Sequence, residues 1–224
     1  MPPKTSTGEP SAAATMKKQY LISYNAISAT LWFGVLARVV MHAAAEGVEN
    51  GKVYEELEQY TRLVQTGAGL EVLHSLLGIV RAPLFTTAMQ VASRLILVWV
   101  IGYQFPQTTK YSPAYSSMLL AWSITEVIRY SYFVFALTDS VPKLWTWLRY
   151  NTFLILYPLG VASETWLIYR AIPPASKLDE KYGWALWAVL ATYIPGFYTL
   201  FTYMLKQRRR ILRAGANKAE KKRV

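Results

Sequence analysis

Tyr157 and Glu164 lie seven residues apart in the run Leu156-Tyr157-Pro158-Leu159-Gly160-Val161-Ala162-Ser163-Glu164. Seven residues at ~100° each return a helix to nearly the same face. A phenol and a carboxyl on one face can serve as an acid–base pair. Pro158 and Gly160 between them predict a kink there, because proline lacks a backbone donor and crowds the preceding turn. In a membrane a kink is tolerated beside a cavity or a neighbouring helix. The spacing is weakly specific on its own, since a buried tyrosine usually just finds a hydrogen bond.

Further ionisable residues sit inside apolar runs: Glu71, His74, Arg94, Glu126 and Arg129, with Arg38 and Arg149 nearer the run ends. A charge at the centre of a membrane helix costs ~2.5–3.5 kcal/mol, so such residues are paired or functional. Glu126 and Arg129, three apart, could simply neutralise each other. Arg38 and Arg149 can snorkel to the interface. Other chemistries are excluded or disfavoured. There is no cysteine, hence no disulfide, thiolate metal site or cysteine nucleophile. His42 and His74 are the only histidines, which argues against a histidine-rich metal centre.

The elements that must position these groups are membrane helices. Of 224 residues, 53% are hydrophobic and only 17% charged, against roughly 25% charged in soluble domains. Six apolar runs can be drawn: Tyr20–Met41, Arg62–Ala82, Pro83–Tyr103, Pro113–Leu137, Leu144–Tyr169 and Tyr182–Leu205. Each approaches the ~20 residues that cross a bilayer. A spanning segment must satisfy its backbone internally, and the ~10-residue alternation of barrel strands is absent, so the expected class is all-α. The first run exceeds the ~7–15 residues of a signal peptide. Three units result: a disordered tail 1–19, a six-helix body 20–205 and a basic tail 206–224.

Charge sets the orientation. The chain carries a net +11, with Lys4, Lys17 and Lys18 before the first run and a dense set of Lys and Arg from Lys206 onward. Both termini are therefore expected in the cytoplasm. Lys221-Lys222-Arg223-Val224 matches a dilysine retrieval signal of the endoplasmic reticulum, an address read by a receptor. A nucleic-acid role for the tail is disfavoured because interleaved aromatics are missing. Counted at ~1.5 Å per residue from the cytoplasmic run ends, Glu71, Arg94, Glu126, Arg129 and Tyr157 share a layer. Four helices contribute to it, which predicts an internal cavity. On a straight helix Glu164 lies ~10.5 Å deeper than Tyr157.

Taken together these stretches resemble the very-long-chain (3R)-3-hydroxyacyl-CoA dehydratase family, once called protein-tyrosine-phosphatase-like. The stretches are Gly69-Leu70-Glu71-Val72-Leu73-His74, Gln90-Val91-Ala92-Ser93-Arg94 and Trp122 through Glu126 to Arg129-Tyr130, together with Leu148-Arg149-Tyr150 through Tyr157 to Glu164. They keep the family order across residues 20–205, without departure at the motif positions. The resemblance implies removal of water from a (3R)-3-hydroxyacyl-CoA to give trans-2-enoyl-CoA, the third step of fatty-acid elongation. It also implies six spans in the endoplasmic reticulum membrane, no cofactor, and partnership with other elongation enzymes. The family's catalytic pair falls on Tyr157 and Glu164. Its other marked polar positions fall on Glu71, Gln90, Arg94, Glu126, Arg129, Tyr130 and Arg149. Phosphatase chemistry is excluded, since it needs a cysteine thiolate.

Elimination from a 3-hydroxyacyl thioester needs a base at C2, an acid at the C3 oxygen and donors for the thioester oxygen. Glu164 as base and Tyr157 as acid is one assignment; the exchanged roles are the other. Arg94 or Arg129 would stabilise a phenolate or enolate. The CoA phosphates are expected at the cytoplasmic face, near Arg81, Lys143, Arg149 and Lys206 through Arg210. A transporter or scaffold is the competing class. The internal repeats common in transporters are absent, and a scaffold needs no buried polar layer.

Overall fold

A computed structural model of the chain describes residues 11–220, all of whose regular elements are helices. The expected dilysine signal lies outside the described residues. The helices are α1 (Ala12–Glu46), α2 (Lys52–Gly67), α3 (Gly69–Leu76), α4 (Leu84–Leu95), α5 (Pro106–Thr109), α6 (Pro113–Leu137), α7 (Lys143–Asn151), α8 (Phe153–Leu178) and α9 (Glu180–Glu220). Seven residues of wider, π-helical turns, Ile96–Gly102, extend α4.

Three stretches are long and apolar enough to cross a membrane: Ala12–Glu46, Leu84–Gly102 and Glu180–Arg213. α7 and α8 together form a fourth, bent by 42°. α6, though 25 residues long, falls short because its polar residues serve the interior: Ser116, Ser123 and Glu126 are among those it buries.

The boundaries correct several expectations. α1 begins at Ala12, capped by Ser11, whose hydroxyl accepts from the Ala14 amide at 3.3 Å. The amino tail is therefore not unstructured as far as residue 19. The expected span Arg62–Ala82 is not one helix. Helical structure starts at Lys52, breaks at Ala68, and stops at Leu76 ahead of Gly78, whose φ is +66°. A left-handed backbone there suits glycine and closes the helix. Pro158 and Gly160 lie within one unbroken helix, α8. The bend falls at Thr152, between α7 and α8. There Asn151 and Thr152 donate to the carbonyls of Trp147 and Leu148, each at 2.8 Å. Such back-bonding bends helices, and the crowding from a proline falls on the turns before it. Finally, α9 carries helix past Leu205 to Glu220, into the predicted tail.

α6 is the central helix. It packs along α1 on one side and α8 on another, and α9 lies against α8. At one end the 47–51, 103–112 and 179 connections meet. Tyr54 donates to the Gly102 carbonyl at 2.9 Å and Lys110 pairs with Glu55 at 2.6 Å. Gly183 follows the sharp joint at Asp179, and a Cβ there would stand 1.9 Å from Ser176 Oγ and 3.1 Å from its Cβ, so any other residue would force that serine to shift. The apolar core lies toward this end: Trp32, Val35, Leu57, Ile101, Leu119 and Ile168 are essentially inaccessible. At the opposite end Lys18 of α1 meets Asp139 just beyond α6, at 3.5 Å. The polar groups lie between.

Candidate active site

Two polar assemblies occupy the middle of the bundle. The first is a chain of alternating charge. Glu126, Arg129 and Tyr130 share one face of α6 by their spacing. Arg129 grips Glu71 of α3 through both terminal nitrogens, at 2.9 and 2.5 Å, and donates Nε to Glu126 at 2.7 Å. Arg94 of α4 donates to the other Glu126 oxygen, and Tyr130 donates its hydroxyl to Glu71. Two acids and two guanidiniums make a neutral set. Glu126 is 2% exposed and has an arginine on each oxygen. Paired, bidentate contacts of this kind keep buried charge tolerable.

The second assembly lies where α8 faces α6 and α9. Glu164, also buried, accepts from Trp122 Nε1 at 2.7 Å on Oε1 and from the Tyr193 hydroxyl at 2.9 Å on Oε2. Both donors are neutral, and among the described residues no arginine hydrogen-bonds this carboxyl. The Arg94 guanidinium instead covers the Trp122 ring, 5.1 Å from its centre. One turn from Tyr193 along α9, Phe197 stacks on the Tyr157 ring, with centres 5.3 Å apart and planes within 7°. Phe201 continues the stack at 6.2 Å. Among the described residues the Tyr157 hydroxyl has no hydrogen-bond partner.

A kink at Pro158–Gly160 was one way to shorten the gap between this pair. The helix runs unbroken there, and the Glu164 side chain closes part of the gap. Helical side chains lean toward the amino end, and Glu164 Oε1 lies 3.7 Å from where a Cβ of Gly160 would stand. The carboxyl thus reaches back about one turn toward Tyr157. Gly160, buried against Ala121, keeps that side of the helix low.

Of the residues marked from sequence, the structure brings Glu71, Arg94, Glu126, Arg129 and Tyr130 into one contact set, and Tyr157 and Glu164 onto one seam. Two fall elsewhere. The Gln90 side chain is exposed and joins neither assembly. Arg149 lies over the Tyr132 and Phe133 rings, at 4.4 and 4.7 Å. Of the clefts between the helices, one lies at Gln107, Tyr111, Trp166 and Arg170 and another at Lys143, Trp147, Asn151 and Leu212. Trp122 and Tyr193 were not picked as site residues from sequence. The available signal was Tyr193-Ile194-Pro195-Gly196, which echoes the Tyr, Pro and Gly of residues 157–160.

Residues 65–214 match the family described as protein tyrosine phosphatase-like protein, PTPLA. The chain belongs to this family. PTPLA relatives cover most of it. A Schizosaccharomyces pombe protein named "Probable very-long-chain (3R)-3-hydroxyacyl-CoA dehydratase" is 44% identical over 206 residues, 90% of this chain and 96% of the relative. Arabidopsis thaliana very-long-chain (3R)-3-hydroxyacyl-CoA dehydratase PASTICCINO 2 is 40% identical, covering 89% of this chain and 95% of its own. Homo sapiens very-long-chain (3R)-3-hydroxyacyl-CoA dehydratase 2 is 34% identical, covering 86% and 80%. No solved structure matches this PTPLA chain.

Proposed function

We propose that the protein is a very-long-chain (3R)-3-hydroxyacyl-CoA dehydratase that eliminates water to give the trans-2-enoyl-CoA. The observation that carries the reading is the α8 seam: a carboxyl held only by neutral donors, and a phenol with a free hydroxyl on the same helix face. It stands in a chain whose relatives bear that enzyme's name.

In the mechanism Glu164 removes a proton from C2 and Tyr157 gives its proton to the C3 oxygen, which leaves as water. Two electrons from the C2–H bond form the new double bond while the C3–O bond breaks. The proton taken by Glu164 then returns to the Tyr157 phenolate, so the site is reset with no net change. Trp122 and Tyr193 fix the plane of the Glu164 carboxyl, and such positioning lowers the barrier by holding the reacting groups aligned. Arg94, beside Trp122, is the nearest guanidinium to this seam and stabilises negative charge as it develops. The Glu71–Arg129–Glu126–Arg94 chain anchors α3, α4 and α6 and holds Arg94 in place.

The wider reading follows the family. The chain makes six passes, with residues 62–82 and α6 joining the four apolar ones, and both termini lie in the cytoplasm. The enzyme resides in the endoplasmic reticulum, carried there by the dilysine signal, and works beside other enzymes of elongation. The apolar acyl chain lies among lipid-facing helices.

The test is purified protein in detergent or nanodiscs with a (3R)-3-hydroxyacyl-CoA, following enoyl-CoA formation. Conversion that is lost in Glu164→Gln supports the reading; a folded wild-type protein without conversion refutes it.

A further inference from the structure

The seam that holds Tyr157 and Glu164 does not end there. Toward the carboxyl end of α9 it continues as one row of contacts. Glu164 meets Tyr193, Tyr157 meets Phe197, and Phe153 meets Phe201 at 6.0 Å. Arg208 follows, donating Nε and Nη2 to Asn151 Oδ1 at 3.1 and 3.0 Å. Beyond it α7 and α9 part, opening a cleft of about 360 Å³ lined by Lys143, Thr146, Trp147, Tyr150, Asn151 and Leu212.

Three features of the cleft point to one kind of occupant. Its charge is of one sign. Lys143 is exposed in its wall, and Arg208 donates to Asn151, which lines it. Among the described residues neither cation has a carboxylate partner, so anionic groups would be welcome. The cleft also offers flat rings: Trp147 is 58% exposed and Tyr150 half-buried. A purine stacks on such faces. Finally, the cleft lies at a fitting distance. From Tyr150 to Tyr157 is seven residues, ~10 Å along the axis, which the extended pantetheine arm of CoA can bridge.

We propose that the α7–α9 cleft binds the 3′-phosphoadenosine diphosphate head of the acyl-CoA, with Lys143 and Arg208 on the phosphates and Trp147 under the adenine. The arm then follows the seam past Phe201 to place the thioester between Tyr157 and Glu164. The sequence offered Arg81, Lys143, Arg149 and Lys206 through Arg210 as equal candidates. The structure selects among them, because Arg149 is turned onto the Tyr132 and Phe133 rings. This assignment rests on the dehydratase reading, and its test separates the two.

The experiment compares two substrates of one acyl chain, the 3-hydroxyacyl-CoA and the 3-hydroxyacyl-pantetheine that lacks the nucleotide. Each is assayed with wild-type protein, Lys143→Glu and Trp147→Ala. Both substituted residues are exposed, so folding is preserved, and thermal unfolding verifies it. The wild type should favour the CoA ester in kcat/KM. In Lys143→Glu this preference should fall about tenfold or more, through KM, and Trp147→Ala should reduce it by several-fold. Raised salt should weaken binding of the CoA ester alone. An unchanged preference in both folded, active variants overturns the cleft assignment and leaves the dehydratase reading standing. Absence of conversion of either substrate by folded wild-type protein overturns the reading beneath it.

Discussion

The two polar assemblies are built from the same residue types and lie side by side, yet they are wired differently. In the α3–α4–α6 chain every charge has an opposite charge on it, and Glu126 has two. Among the described residues the carboxyl of the α8–α9 seam has only an indole and a phenol, and the Tyr157 hydroxyl has no partner. A carboxyl locked between guanidiniums is a poor proton carrier, because protonating it strands buried cations. One held by neutral donors can gain and lose a proton without unbalancing its neighbours. The first assembly is therefore assigned to structure and the second to proton transfer.

Substitutions can break this division. The largest effect is expected in the seam. Glu164→Gln and Tyr157→Phe should each cut kcat by about 10²–10⁴-fold, with thermal unfolding within a few degrees of wild type. In the charged chain the order reverses. Glu126→Gln or Arg129→Ala leaves buried charge uncompensated and should destabilise the protein by about 3–5 kcal/mol. Unfolding midpoints and detergent-extracted yield should fall before any intrinsic change in turnover appears. A Glu126→Gln protein that is fully stable but inactive would erase the division and move the chain into the chemistry.

Tyr193→Phe and Trp122→Phe sharpen it further. Hydrogen bonds to charged groups contribute about 1.5–3 kcal/mol. Losing one should lower kcat by roughly tenfold or more with KM nearly unchanged. In a Glu164→Gln background the same substitutions should add almost nothing, whereas a purely structural role would cost the same in both. The smallest effect is expected at the distant surface pair. Lys110 donates to Glu55 and holds its carboxyl below the ordinary value of 4.5. A carboxyl lowered by folding contributes stability above its unfolded value and loses it as pH falls through its folded value. Glu55→Gln should leave turnover intact and the unfolding midpoint at neutral pH almost unchanged, and should slightly flatten the loss of stability in acid.

How much of this was visible beforehand follows from what a membrane sequence advertises. Charged residues in apolar runs stand out because they are costly, and counting depth along the runs grouped Glu71, Arg94, Glu126 and Arg129, which the structure joins, with Tyr157, which it places on the neighbouring seam. Neutral donors send no such signal. Trp122 and Tyr193 look like any aromatic residue of an apolar helix, and the one trace of the clamp on Glu164 was the Tyr193-Ile194-Pro195-Gly196 echo. Gln90 was marked by resemblance alone and Arg149 also as a charge near a run end, and neither contacts the assemblies here. The helical class and the apolar runs followed from composition and length. The break at Ala68 and the bend at Thr152 did not, because side-chain back-bonding and packing set where a strained helix yields, and these depend on neighbours.

The central claim is that Glu164 exchanges its proton with C2 of the acyl thioester. Its most direct test is to incubate purified protein with a trans-2-enoyl-CoA in deuterated water and run the reaction in reverse, measuring deuterium at C2 of the 3-hydroxyacyl product by mass spectrometry. Wild-type protein should introduce one deuterium at C2, and folded Glu164→Gln should introduce essentially none. Equal incorporation by the two proteins would contradict the account.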